Sequence, residues 1–95
     1  MTVEELKAVI ENTISSLIDS GLEKFDPGMP DKITKLATLA GEAGMYEGKR
    51  LIDNLAAVMT AILEGKSTAE SGKVRLTALE FYLEKIKTDA KGEHL

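Results

Sequence analysis

The chain has 95 residues, a formal net charge of −4, 43% apolar and 29% charged residues, and no cysteine. That length makes one domain with a single small core. The absence of cysteine excludes disulfides, thiolate metal sites and a thiol nucleophile, and scattered lysines with no basic run longer than two residues argue against nucleic acid as a partner.

The opening stretch MTVEELKAVIENTISSLI has neither a basic leader nor the long apolar run of a signal peptide. No segment approaches the roughly 18 uninterrupted apolar residues of a membrane-spanning helix. A bacterial-type cytoplasmic protein with no membrane contact is the expectation.

The apolar residues recur with helical spacing throughout. In the first segment they fall at Val3, Leu6, Val9, Ile10, Ile14, Leu17, Ile18, Leu22 and Phe25. Thr2 and Glu5 form a capping box, so this helix starts at Val3. Gly21 weakens its end, so the helix is expected to end near Ser20, with a further turn reaching Phe25.

FDPGMPD then breaks the chain with turn chemistry, and Pro30 suits the first turn of a second helix. That helix is expected from about Pro30 to Ala43, with Ile33, Leu36, Leu39, Ala43 and Tyr46 as its buried stripe. Gly44 and Gly48 mark the next junction. The third helix is expected from Lys49 to Glu64, burying Leu51, Ile52, Leu55, Val58, Met59, Ile62 and Leu63.

Gly65 is a natural helix stop. Ser67 with Glu70 reads as a second capping box, opening a fourth helix at Thr68. Leu76, Leu79, Leu83 and Ile86 make its stripe, flanked by Val74, Phe81 and Tyr82. Gly72 costs its early turns about 1 kcal/mol of propensity. The predicted architecture is all-α: an antiparallel up-down four-helix bundle over residues 1–90, with a flexible tail over 91–95.

Catalytic chemistry is hard to place. His94 is the only histidine, and it lies in the tail. No histidine pair at metal-ligand spacing exists, so no metal site and no cofactor are expected. Glu4, Glu5, Glu11, Asp19 and Glu23 alternate with the apolar stripe and read as a solvated face. Ser15, Ser16 and Ser67 have no base to activate them. Lys85 and Lys87 near Tyr82 read as snorkelling stems. An all-carboxylate magnesium or calcium site lacks the clustering and the loop pattern it needs. The chain is not expected to be an enzyme.

LATLAGEAG, residues 36–44, is the remaining feature. Ala37, Ala40, Gly41 and Gly44 line one side of a helix, about a quarter-turn from the leucine stripe. Small residues there permit close approach of a neighbouring helix, or a tolerant helix end, or a flat docking face for a partner. Close packing requires Ala37 and Gly41 to be buried; docking requires them exposed.

Between Ile33 and Leu55 the chain resembles the histidine phosphotransfer (HPt) domain. That family's core reads approximately His-Thr-Leu-Lys-Gly-Ser-Ala-Gly-x-Leu-Gly, and this chain reads Ala37-Thr38-Leu39-Ala40-Gly41-Glu42-Ala43-Gly44-Met45-Tyr46-Glu47 without a gap, matching at Thr38, Leu39, Gly41, Ala43 and Gly44. The following RLIDNL, residues 50–55, suits the family's next helix. The resemblance implies an HPt-like four-helix bundle. It places the phosphoacceptor histidine on Ala37 and the supporting lysine on Ala40, so a relative of this kind cannot carry phosphate there: alanine has no lone pair, and no cation would steady the added charge. Glu42 stands where the family has serine and would repel phosphate.

The implied role is a non-catalytic, pseudo-phosphotransfer interaction module in two-component signalling. Its docking face would be Ala37, Ala40, Gly41 and Gly44, and its partner a receiver domain or a histidine kinase. The alternative is a self-associating helical adaptor or structural subunit, a homodimer joined through Leu22, Phe25, Met29, Met45 and Tyr46.

Overall fold

The computed structural model describes residues 2–92. Four helices follow in order: α1 Val3–Ser20, α2 Met29–Glu42, α3 Tyr46–Leu63 and α4 Ala69–Gly92. Of the expected tail over 91–95, residues 91 and 92 continue α4, and the rest, His94 included, lies outside the described residues.

α1 begins at the expected capping box. Thr2 Oγ1 accepts from the Glu5 backbone N–H at 3.1 Å, and Glu5 Oε1 accepts from the Thr2 backbone N–H at 3.2 Å. Two otherwise orphaned donors are thereby satisfied. Leu6, Ile10, Ile14 and Leu17 point into the core. The helix stops where Gly21 takes φ +81°, so the expected extra turn to Phe25 does not form. Residues 21–28 instead make an irregular connection. Its Leu22 is buried, and Asp26 Oδ1 accepts from the Gly28 N–H at 2.7 Å before α2 opens.

α2 carries Pro30 in its first turn, where a missing N–H costs nothing. Its buried residues are Pro30, Ile33, Ala37 and Ala40. Of the expected stripe, only Ile33 is buried: Leu36 is half-buried, while Leu39, Ala43 and Tyr46 are exposed. The helix is turned by about 100°, one residue, from the predicted orientation. Packing supplies the reason. α2 and α3 make the most extensive helix pair of the fold, and alanine side chains at the contact let two helix axes come closer than leucines would. Leu36 packs partly buried against the core, and Leu39 lies exposed beside a hollow that it shares with Leu6 of α1.

The turn from α2 into α3 takes only residues 43–45. The Met45 N–H donates to the Ala40 carbonyl at 2.8 Å and the Gly44 N–H to the Gly41 carbonyl at 3.1 Å. With Gly44 at φ +82°, this is a Schellman motif. Met45 then folds back into the core. Because the reversal is so tight, α3 starts at Tyr46 and not at Lys49, and Gly48 lies inside the helix, buried. α3 contributes Ile52, Leu55, Ala56 and Met59 to the core; Leu51, Val58 and Ile62 are half-buried and Leu63 is exposed.

α3 ends in a second Schellman motif. Lys66 N–H donates to the Ala61 carbonyl at 2.8 Å and Gly65 N–H to the Ile62 carbonyl at 3.0 Å, with Gly65 at φ +74°. Thr68, one residue after the expected Ser67, then caps α4: its Oγ1 accepts from the Ser71 N–H at 3.3 Å. Leu76, Leu79 and Leu83 are buried as predicted, with Ile86 packed beside them.

Each helix packs on its two neighbours, α1 on α2, α2 on α3, α3 on α4 and α4 back on α1, with no diagonal pair. Successive helices run antiparallel, closing the up-down four-helix bundle expected from the sequence. Its extents are 47 × 22 × 19 Å. α4 is the longest helix, and its 24 residues span about 36 Å at 1.5 Å per residue.

Candidate functional site

The fold disperses the four small residues expected to form one docking face. Ala37 and Ala40 are 0% exposed, so they are core residues. Gly44 is exposed, but its positive φ assigns it to the turn, where a side chain would be strained. Gly41 is half-buried beneath the Lys49 side chain; a Cβ there would meet Lys49 Cδ at 2.8 Å. Lys49 is held across it by Asp53, Nζ to Oδ2 2.7 Å. The docking assignment of Ala37 and Ala40 is therefore corrected: the close-packing alternative describes both. The same burial removes position 37 as a phosphoacceptor site, because a phosphoryl donor has no path to it.

The five apolar residues expected to join two copies separate in the same way. Leu22 and Met45 are buried, Phe25 and Met29 pack against the core, and only Tyr46, at 75% exposure, stands free at the surface.

After Tyr46, the two most exposed large apolar side chains both lie on α4, ahead of Val3, Ile18, Leu39 and Leu63. Val74 is 65% exposed and Phe81 71% exposed. They are seven residues apart, two helical turns on one face, with Ala78 between them. Beside them α3 and α4 enclose an open groove of about 410 Å³ lined by Glu47, Leu51, Ala78, Phe81, Tyr82 and Lys85. In the sequence Val74 and Phe81 stand as flanks of the leucine stripe. The missed signal is arithmetic: α4 carries more large apolar residues than one buried stripe holds, and these two fall on the far side from Leu76, Leu79 and Leu83.

The groove's floor depends on Gly48. A Cβ at that position would meet the Tyr82 ring at 2.9 Å and its hydroxyl at 3.0 Å. Only glycine leaves room for the ring this close to α3. Burial pushes the Tyr82 phenol above its ordinary range; the Gly48 N–H opposes the shift, and the charge of Glu47 adds to it. Glu47 itself is held below the usual carboxylate range, first by its hydrogen bond from Arg50. One rim of the groove thus carries a carboxylate already engaged by Arg50, and the other carries Lys85.

Among the described residues no polar or charged side chain is buried, and no group of three or more His, Cys, Asp or Glu is placed to hold a metal ion. Nor is any described helix long and apolar enough to cross a membrane. The described residues form a small helical bundle in which no catalytic motif is recognisable. No protein-family model, curated protein or solved structure matches it.

Proposed function

We propose that this protein acts by binding another protein chain, and that the binding surface is the outer face of α4 with the adjoining α3/α4 groove. The observation that carries the reading is the exposure of Val74 and Phe81 on one face. Two large apolar side chains beside an apolar groove form a patch of the kind that marks interaction sites. Phe81 is the natural anchor, since aromatic residues dominate the energetics of interfaces. Leu51 and Ala78 offer the surface against which an incoming apolar side chain packs.

A photo-reactive amino acid placed at position 81 tests this. In an extract of cells expressing the chain, it is expected to give a protein adduct that Val74→Glu abolishes. No adduct to any protein, the chain itself included, overturns the proposal.

The receiver domain or histidine kinase implied by the phosphotransfer resemblance is the weaker fit. With Ala37 and Ala40 closed off, such a partner has only the Gly41–Gly44 end of α2 to meet. What favours it is that the nearest atoms over Gly41 belong to the flexible Lys49 side chain. Receiver-induced shifts in the amide resonances of residues 41–44 would support that site, and silence there would remove it.

A further inference from the structure

We infer that the occupant of the α4 face is a second copy of this chain, docked α4 against α4 in antiparallel sense about a two-fold axis. The inference rests on the interaction reading above and names its partner. Along the outward face of α4 the residues run Glu70, Val74, Thr77 with Ala78, Phe81 and Lys85, in steps of three and four. All are exposed except half-buried Ala78.

The order is a palindrome in shape with the charge reversed, centred between Thr77 and Ala78. Turned end for end, a second α4 sets Phe81 opposite Val74, Ala78 opposite Thr77, and Lys85 opposite Glu70. Two-fold symmetry repeats every pairing. The seam therefore has an apolar centre closed at both ends by a Glu70–Lys85 pair, about 22 Å apart at 1.5 Å per residue.

Both charges are available for this use. Among the described residues neither Glu70 nor Lys85 stands within salt-bridge distance of an opposite charge; Lys85 interacts at longer range with Glu47 across the groove, but Glu47 is hydrogen-bonded by Arg50, and Lys49 is paired with Asp53. Charge also selects the direction. A parallel two-fold would stack Glu70 on Glu70 and Lys85 on Lys85, and like charges across an interface disfavour it. A contact built mainly on one helix per copy falls among the small interfaces, so the dimer is weak and reversible.

Sedimentation equilibrium of the purified full chain tests the inference. A monomer–dimer equilibrium in the micromolar range is expected, lost in Phe81→Ser. Glu70→Lys and Lys85→Glu should each weaken it at least about tenfold, since each reversal acts at two symmetric pairs. The double variant Glu70→Lys/Lys85→Glu should return to within about threefold of the parent, because the palindrome is restored with its signs exchanged. These side chains are exposed, so helicity and melting are expected to stay unchanged. A chain monomeric to high micromolar concentration, or a dimer indifferent to the reversals, overturns self-association. If that monomer still forms an adduct with a different protein from position 81, the interaction reading stands alone; if it forms none, both fall.

Discussion

The Tyr82 ring lies on the backbone of α3 at Gly48, so close that a single added methyl would stand 2.9 Å from ring carbon Cε2. Gly48 is interior to a helix, where alanine is normally worth about 1 kcal/mol more than glycine. A rigid ring has no flexible end to swing aside. Gly48→Ala is therefore expected to destabilise by about 1–3 kcal/mol, the cost of overpacking exceeding the propensity gain. Urea denaturation checks this; a neutral or stabilising result would show that the ring is free to leave.

The same contact predicts a pH dependence. Burial raises the folded-state pKa of Tyr82, so the folded chain holds this proton to higher pH than the unfolded chain. The Tyr82 contribution is complete below the unfolded value of about 10 and is lost as pH rises through the folded value. Tyr82→Phe has no proton to lose. Melting curves of both chains at about pH 9 and about pH 11 should show the parent losing more stability than Tyr82→Phe over that interval. Equal losses would mean that the phenol ionises without consequence.

Gly41 and Gly44 should answer oppositely to alanine. At Gly41 only the flexible Lys49 chain must shift, and the backbone is helical, so Gly41→Ala is expected to be neutral or stabilising by up to about 1 kcal/mol. Gly44 sits at φ +82°, and Gly44→Ala should cost about 1 kcal/mol or more. Thermal melts of the pair separate a turn glycine from a helix glycine. Matching effects would contradict the Schellman assignment.

Leu55 and Leu79 are almost wholly enclosed, and each is expected to cost about 2–5 kcal/mol as Leu→Ala. Ala37→His restores the phosphotransfer residue at a position with no exposure. It should destabilise by about 3 kcal/mol, through overpacking and an unsatisfied imidazole, and it should take up no phosphate from a small phosphodonor. A stable, phosphorylated Ala37→His chain would restore α2 as an exposed docking helix.

Much of this bundle is legible in local chemistry. The Thr2–Glu5 capping box, Pro30 in a first turn, the glycine stop at Gly65 and the Leu76, Leu79, Leu83 stripe need only neighbours within a turn or two. Their energetics are those of a single helix. Helix count and class follow from period and length for the same reason.

α2 turns away from the orientation its hydropathy predicts because its two candidate faces differ by one residue of rotation. Hydropathy favours burying Leu36 and Leu39; the gain from close α2–α3 packing favours Ala37 and Ala40. That gain exists only once a second helix is present, so no window on α2 alone contains it. The site followed suit: a face that looked bare of chemistry proved to be core, and the apolar patch of α4 emerged only when Leu76, Leu79 and Leu83 had claimed the inside.

By itself, then, the sequence determined four helices, most of their ends, the all-α class and the absence of a histidine or cysteine centre within residues 2–92, because hydrogen-bond caps, glycine conformations and residue identity are local. Tertiary structure alone decided which way α2 faces, why Gly48 must be glycine and where Val74 and Phe81 are left uncovered. Each of those depends on the shape of a neighbouring helix, and burial is a property of the packed pair.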